Sequence, residues 1–598
     1  MVLNVIVLGE TKYIAGTAIV GSISRSPPFR CEESPTQIPV TVINAVGRGL
    51  VSPQWIQDTV SELRLRDDVI SAVFAERVIV EVSEDESGVL LEQISSPAKF
   101  FFDRGGDISC DGPYILEGRD LYKAYKLYGD TYNAFVCGVI QSEDQPLSFK
   151  QIESKKYIPV PSRCYFPAPS EQNPLSGKRI AVKDIYDLRG IPTGAGCRGY
   201  AAHHGNAKDT AECIKILLNL GAVIVGKAKT VQFASGMASA DWCADVCPTN
   251  PRGDGQLDTD CSSSGSAAAL AGYEWLDFAI GSDSLGSMTG PAAACGLFGL
   301  RPSFGALSNI GAVPVSAVLD TPGHFSRSVN ELSLLTRSWL KSLDTNSRSA
   351  SVSLHKKPIT ILVPQESQLS HAPPKISAMK EFVRDLEAYC GVAHTSISID
   401  ALWHGDPKRP PRASSLKEYL YRTVADIQLH DCWKSASRFL ETYSEEKSGN
   451  LEIDPLIKYK WELGRLVTDR DYELALERKE IFKGFLERTT LREGTIIVLP
   501  GGDPDIRFRH QKTPDHEYDM WQGFGFQNTT CSVLGGLPAV NVPVSQRLYR
   551  SKLDGEMVNQ PMSIMVLGPR GSDIWLIQHL EEALPEHKRN VRVGSDTF

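Results

Sequence analysis

Five prolines between Pro159 and Pro174, in "KYIPVPSRCYFPAPSEQNPLSG", divide the chain. Proline fixes its own φ, lacks an N–H and pushes the residue before it out of the helical region. Such a segment runs extended and cannot lie inside a helix or a central strand. We therefore place a linker over 156–177, between a first domain over 1–155 and a second over 178–598.

The two sides differ in texture. Upstream, the β-branched runs "NVIVLG", "TAIVGSI", "VTVINAV" and "VFAERVIVEVS" read as strands. "SPQWIQDTVSELRLR" reads as a helix with Ser52 as its N-cap and Pro53 at its first position. A small α+β unit is predicted. Downstream, "RIAVKDIYDL" is a short buried strand, "AKDTAECIKILLNLG" an amphipathic helix ending at Gly221, and "AVIVGKA" another buried strand. That order implies a parallel sheet with a right-handed crossover. The chain from about 375 to 490 reads as a helical insert, one helix opening at Asp454 and Pro455, before "TIIVLP" and "LPAVNVPVS" restore strands.

Charge and composition exclude several classes. The 598 residues carry 63 Lys and Arg against 72 Asp and Glu, a net charge of −9, which disfavours a nucleic-acid binder. Hydrophobic residues at 42% and charged residues at 23% place the chain among globular proteins. Thirteen cysteines, odd in number and without a CxxC pair, read as reduced thiols. No apolar stretch reaches the roughly 18 residues of a membrane span. "MVLNVIVLGETKYIAG" alternates like a strand rather than a signal peptide. A cytoplasmic protein is expected.

The densest stretch is "DCSSSGSAAALAGYEWLDFAIGSDSLGSMTGPAAACGLFGLRPSFG". Ser262, Ser263 and Ser264 precede a small-residue helix, and "GSDSLGS" sets Ser287 among glycines. Glycine-rich turns bare backbone N–H groups and a helix start adds positive dipole, which suits a developing oxyanion. Ser-Gly-Ala runs also serve as tight-packing linkers. Upstream, Lys183 ends the apolar strand of "AVKDIYD". Burial favours a lysine's neutral form, and only a value well below the ordinary ~10.4 makes it a useful base near neutrality. A serine nucleophile needs such a base. The plainer alternative for Lys183 is a surface ion pair with Asp184 or Asp187.

On these residues the stretch from about 178 to 330 resembles the amidase signature family, and more loosely so to about 570. The family pattern runs approximately G-G-S-S-[GS]-G-S-A-A-A, G-T-D-x-G-G-S-x-R-x-P-A and C-G-x-x-G-x-[KR]-P. Here it reads "DCSSSGSAAA", "GSDSLGSMTGPA" and "CGLFGLRP", with "NTTCSVLGGLPAVNVPVS" similar to a late family strand. The resemblance implies an α/β fold, a mixed, mainly parallel sheet covered by helices, preceded here by the α+β unit. It implies a Ser–cis-Ser–Lys triad that cleaves amide or ester bonds with no cofactor and no metal. Position by position, Ser287 matches the nucleophile, Ser262 the bridging serine and Lys183 the base, with Ser263 a supporting hydroxyl. N–H groups from Ser284, Leu285 and Gly286 to Ser287 would face the oxyanion. The spacing from Ser262 to Ser287 is one residue longer than the family's usual one, and gapping on the other side selects Ser263 instead.

Three departures stand out. Cys261 replaces the glycine before the bridging serine, where the family's peptide bond is cis. Leu285 replaces the first glycine of the turn and would be strained if that position needs positive φ. Thr289 replaces the family's arginine, so an ion pair from that position to Asp283 is expected to be lost.

Other features carry less. "GAGCRG" (Gly194, Gly196, Gly199) fits a dinucleotide fingerprint but lacks its strand–turn–helix context, and reads as a loop near the active site. His203 and His204 lack a further ligand at metal spacing. No G-x-S-x-G elbow is present, which disfavours an α/β-hydrolase. "SEEKSGNLEID" reads as a solvated charged segment. Trp433, Trp461 and Trp521 read first as core aromatics and are candidates to line a pocket. The resemblance implies hydrolysis of a small-molecule amide or ester through acyl-Ser287; the net charge and the lack of an apolar span add the expectation of no nucleic-acid or membrane partner. Rival readings are an acyl-transfer enzyme of secondary metabolism and a non-catalytic scaffold. The N-terminal unit faintly resembles the scytalone-dehydratase-like leading domain of some filamentous-fungal amidase-like proteins. Docking, lid or dimerisation duty is assigned to it, with a homodimer among the expectations.

Overall fold

The computed structural model describes residues 5–598 except 33, 35, 49–50, 84–98, 105–107, 109, 146, 155, 237, 244, 342–355, 366–371, 412–414, 445–450 and 503–504. The chain forms two compact units: Met1–Thr131 with Cys137–Arg179 and Leu218–Gly226, and Tyr132–Val136 with Ile180–Leu217 and Lys227–Phe598. Among the described residues no helix is long and apolar enough to cross a membrane.

In the first unit a sheet runs in the order Ile6–Leu8, Thr11–Ala15, Asp120–Gly129, Gly112–Glu117, Ile38–Asn44, Arg77–Val82, Lys99–Arg104. The last three strands are parallel and the others antiparallel. Helix Pro53–Arg66 follows Ile38–Asn44 and starts as expected, Ser52 Oγ accepting the Trp55 N–H at 3.2 Å. It buries Ile56, Val60 and Leu63, a stripe at helical spacing. These pack with Tyr13, Phe74, Val78 and Val80. The segment expected to link the domains does more than link. Tyr157–Pro161 is a strand antiparallel to Asp120–Gly129, and Ser162 Oγ donates to buried Asp67 at 2.5 Å. Arg179 pairs with Asp68 at 2.7 Å.

In the second unit the sheet order is Arg179–Lys183, Phe278–Asp283, Thr321–Ser326, Phe298–Arg301, Ala539–Arg550, Met557–Leu567, Thr495–Pro500, Thr360–Pro364, Thr395–Ile397. The sheet is mixed, as expected, but less of it is parallel than expected. Parallel pairing lies at the two ends of this run, and the centre is antiparallel. Phe298–Arg301 and Thr321–Ser326 are joined without an intervening helix, and a direct return of that kind sets strands antiparallel.

The expected helical insert contains Pro373–Cys390, Ile399–Gly405, Leu416–Tyr419, Thr423–Thr442, Pro455–Gly464 and Asp469–Thr489, and also the short strand Thr395–Ile397. Its apolar faces meet the sheet in a cluster around Trp403, Phe482 and Phe485. Most of the charged segment "SEEKSGNLEID" lies outside the described residues.

Phe74 is fully buried, edge-on to Tyr13 with ring centroids 5.1 Å apart. Phe74→Ala is expected to destabilise the first unit by about 3–5 kcal/mol through lost burial and a residual cavity. Leu65→Ala, at a residue 88% exposed, should stay within about 0.5 kcal/mol. Urea unfolding midpoints of the two variants check both.

Candidate active site

Lys183 is the last residue of the strand Arg179–Lys183, and none of it is exposed. Its Nζ donates to Ser262 Oγ at 2.7 Å, Ser282 Oγ at 2.9 Å and Ser263 Oγ at 3.0 Å. Three hydroxyls give an ammonium its hydrogen bonds but no counter-charge. Burial therefore pushes Lys183 down to about 7, against the opposing pull of Asp283, Cys261 and Asp320. The alternative of a surface ion pair does not stand. Asp184 is paired with Lys227 at 2.7 Å, and Asp187 accepts the Thr193 hydroxyl at 2.7 Å.

The serines arrive from two directions. Ser262 and Ser263 precede the helix Ser264–Gly272, whose small side chains let it pack at close range. A Cβ on Gly265 would lie 2.4 Å from the Ala134 carbonyl and the Lys229 N–H, so only glycine fits there. Ser282 comes from the strand Phe278–Asp283, parallel to the lysine's own strand with Val182 opposite Ile280. The Cys261–Ser262 peptide is cis, as the family resemblance implies. Ser263 Oγ also donates to the Ser282 carbonyl and accepts its N–H, both at 3.2 Å. Its hydroxyl is thereby tied to the strand, whereas that of Ser262 meets Lys183 alone among the described residues.

Ser287 lies on the turn that follows Ser282 and is half-buried; it is not part of the hydrogen-bonded group around Lys183. Its neighbour Met288 packs on Ser263, with Sδ 3.9 Å from Ser263 Oγ. Buried Asp283 organises the turn, accepting the N–H groups of Gly286 at 2.8 Å and Met288 at 2.7 Å. The loss of an arginine at Thr289 does not leave Asp283 unpaired. Arg301 Nη1 lies 2.7 Å from its carboxylate, also donates to its carbonyl at 2.7 Å, and Nη2 donates to Leu319 O at 2.9 Å.

Two further expectations change. Positive φ falls on Gly286 (φ +100°), not on Leu285, so Leu285 carries no such strain and packs against the core beneath the helical insert. The Gly286 N–H, expected among the oxyanion donors, is committed to Asp283. Ser284 Oγ donates to Asp320 at 2.5 Å, and burial pushes that carboxyl up to about 6.

Beside this group lies a small pocket, lined among others by Tyr200, Phe233, Ser235, Cys432, Lys460 and Trp461. A Cβ on Gly236 would touch Cys261 Sγ at 2.9 Å, so the Ser235–Gly236 backbone abuts the residue preceding Ser262. Lys460 Nζ donates to Ser235 Oγ at 2.7 Å, and burial pushes it too down to about 7. Of the three tryptophans considered, Trp461 lines the cavity. Trp521 carries Lys460 over its ring, and Trp433 stacks with Arg465.

Of the glycines of "GAGCRG", Gly194 and Gly196 lie in a loop, on which the Gly194 N–H donates to Asp184 at 3.1 Å, whereas Gly199 lies in the helix Arg198–His204, so the loop expected there ends in a helix. Among the described residues no three His, Cys, Asp or Glu side chains group as metal ligands would. Ser282, Arg301, Asp320 and Lys460 are absent from the candidates drawn from the sequence. Ser282 and Asp283 stand at the T-D of the motif read in "GSDSLGS", and Arg301 at the [KR] of the motif read in "CGLFGLRP", so the sequence marks these positions without their roles; nothing in a single sequence marks Lys460.

Residues 165–577 match the family model described as Amidase. The chain is 39% identical to Amidase 1 of Oryza sativa subsp. japonica over 171 residues, 29% of this chain and 39% of the relative's length, so that match spans well under two thirds of the relative. It is 24% identical over 430 residues, 71% of this chain and 68% of the other, to the Translocon at the outer membrane of chloroplasts 64 of Pisum sativum. Among solved structures, 6-aminohexanoate cyclic dimer hydrolase is similar in fold, with TM-score 0.55, 18% identity and coverage of 70% of this chain and 87% of that one.

Two outcomes follow from the buried charges. Arg301→Leu leaves the Asp283 carboxylate buried and unpaired, and is expected to cost about 3–5 kcal/mol, read from urea unfolding. Lys183 holds its proton less tightly when folded than the ordinary 10.5 of the unfolded chain. Between pH 7 and 10 the unfolded chain therefore binds more protons, and this residue's contribution to stability rises with pH. Unfolding free energies of wild type and Lys183→Met, measured across that window, should diverge in the wild type's favour as pH rises.

Proposed function

The chain belongs to the Amidase family, and from that premise we propose that it is a serine hydrolase that cleaves an amide or ester bond of a small molecule through an acyl-Ser287 intermediate. The observation that carries this reading is Lys183, fully buried among three hydroxyls with no carboxylate at ion-pair distance among the described residues. A neutral amine donates two hydrogen bonds and receives one, so one of the three hydroxyls must turn its proton toward Nζ. Ser262 suits that role, because Ser263 already has backbone partners.

In the proposed cycle Lys183 takes the Ser262 proton as Ser262 takes that of Ser287, and the Ser287 oxygen attacks the acyl carbon. The N–H groups of Leu285 and Ser287 stabilise the oxyanion, with that of Ser284 beside them; Gly286 instead serves the turn through Asp283. The relay returns the proton to the leaving nitrogen or oxygen. Water then attacks the acyl carbon and the same relay runs again. Ser263 and Ser282 hold Nζ in place, and the Arg301–Asp283 pair holds the turn that carries Ser287. An acyl acceptor other than water, as in secondary metabolism, would use the same residues. A cytoplasmic site belongs to the same proposal, since thirteen free cysteines suit a reducing compartment.

Intact mass after treatment with a broad fluorophosphonate, followed by peptide mapping, tests the assignment. One adduct on Ser287 is expected, absent in Lys183→Ala. A folded protein that takes no adduct counts against the hydrolase and favours a scaffold. The labelling rate should rise with pH as Lys183 loses its proton, reach half its plateau near pH 7, and stay level above it, because only the neutral amine accepts a proton.

A further inference from the structure

Asp320 is a buried carboxylate with no part in the proposed relay. It immediately precedes the strand Thr321–Ser326, which runs antiparallel to Phe278–Asp283 with Thr321 opposite Asp283. One step beyond the end of that ladder Asp320 stands opposite Ser284, so the pairing of the two strands brings these side chains together. Ser284 opens the turn that carries Ser287.

The two oxygens of Asp320 serve different segments. Oδ1 accepts the Ser284 hydroxyl at 2.5 Å, and Oδ2 accepts the N–H groups of Val315 at 2.8 Å and Ser316 at 3.0 Å. The loop that supplies those N–H groups is itself held. Ser316 Oγ donates to Asp431 on the helix Thr423–Thr442 at 2.6 Å, Asn309 Nδ2 to the Asp320 carbonyl at 2.8 Å, and Arg301 to the Leu319 carbonyl at 2.9 Å. Asp283 ties the Gly286 and Met288 end of the same turn. Burial pushes the Asp320 carboxyl up to about 6 against the pull of its three donors and Arg301, so it is an anion at neutral pH. Burying a carboxylate is costly. Only a branched group with an acceptor oxygen on each arm receives the hydroxyl on one and both N–H groups on the other, since an amide offers a donor on its second arm.

We propose that Asp320 is a positioning residue: through Ser284 it fixes the near end of the turn, and so aims Ser287 and the N–H groups beside it at the acyl carbon. The aim at an acyl carbon rests on the hydrolase reading, whereas the fixing of the turn does not. The charge of Asp320 also acts on Lys183, Tyr186, Arg301 and Cys432, and Lys183 is acted on in addition by Asp283 and Cys261. Burial lowers Lys183, and the Asp320 anion opposes that by favouring the ammonium. Loss of the anion therefore lets Lys183 become a base at lower pH.

The test compares the full chain with Asp320→Asn, Ser284→Ala and the double variant. Hydrogen exchange of the peptide spanning 284–288 reads the turn, and a fluorophosphonate at graded concentrations reads the maximal labelling rate and half-saturating concentration at Ser287. Each single variant is expected to speed exchange across the turn by about tenfold or more, with the strand Thr360–Pro364 unchanged. Each should lower the maximal labelling rate about tenfold, with the half-saturating concentration kept within about threefold. The double variant should be no slower than the slower single one, because Asp320 acts through Ser284. Asp320→Asn should also move the half-plateau of labelling below the wild type's value near pH 7, which a residue that only supports the fold would leave in place. Exchange at the wild-type rate, additive losses or an unmoved half-plateau overturns the proposal. If Asp320→Asn does not fold, Ser284→Ala decides: a turn that exchanges as in the wild type overturns it. A wild type that takes no adduct counts against the hydrolase reading instead, and exchange alone then decides whether Asp320 fixes the turn.

Discussion

A lysine met by hydroxyls, with no counter-ion among the described residues, at the end of a buried strand is the constraint on which the candidate site depends. Lys183 can occupy its position only if hydroxyls replace the water it gives up, and they must come within about 3 Å of Nζ. That requirement explains the composition around it. The parallel strand beside it supplies Ser282, and a helix of serine, glycine and alanine brings Ser262 and Ser263 close enough to finish the shell. Bulkier residues in that helix would hold the hydroxyls away. A run that in isolation reads as a linker is instead a packing device serving one ammonium group.

Charge elsewhere in the second unit is handled in the opposite way. Arg301 and Asp283, like Lys227 and Asp184, are fully buried pairs in which each ion supplies what the other lost with its water. Such pairs contribute little net stability but specify geometry, because removing one member strands the other. Asp283 makes the point. Its two oxygens hold the N–H groups of Gly286 and Met288 on either side of Ser287, and Arg301 pairs with the same carboxylate. The turn needs an arginine near Asp283, but not one adjacent in sequence. Thr289 can therefore replace the family's arginine without loosening it.

Local signals in the chain are legible wherever the physics is local. The Ser52 cap, the Pro455 start, the buried strands around Lys183 and the family motifs from about 178 to 330 follow from neighbouring residues, and the matching elements are present. The share of parallel pairing is smaller than the sequence suggests, because a strand–helix–strand pattern at one edge says nothing of strands joined by plain loops. Pro159 and Pro161 suggest a linker, but proline removes only an N–H. A strand that needs hydrogen bonds along one side still accepts it.

The sequence by itself determined that this chain carries an amidase-type motif set, with Lys183, Ser262, Ser263 and Ser287 in the right order. Those residues announce themselves through short-range patterns. Tertiary structure alone decided which hydroxyls reach Lys183, that Arg301 rather than residue 289 pairs with Asp283, and that positive φ falls on Gly286 instead of Leu285. It also decided that Lys460, far along the chain in the helical insert, shares a cavity wall with Ser235. The contacts of both lysines depend on distances between segments separated by tens to hundreds of residues. Desolvation, which sets the chemistry of both lysines, belongs to the packed environment and not to the residue.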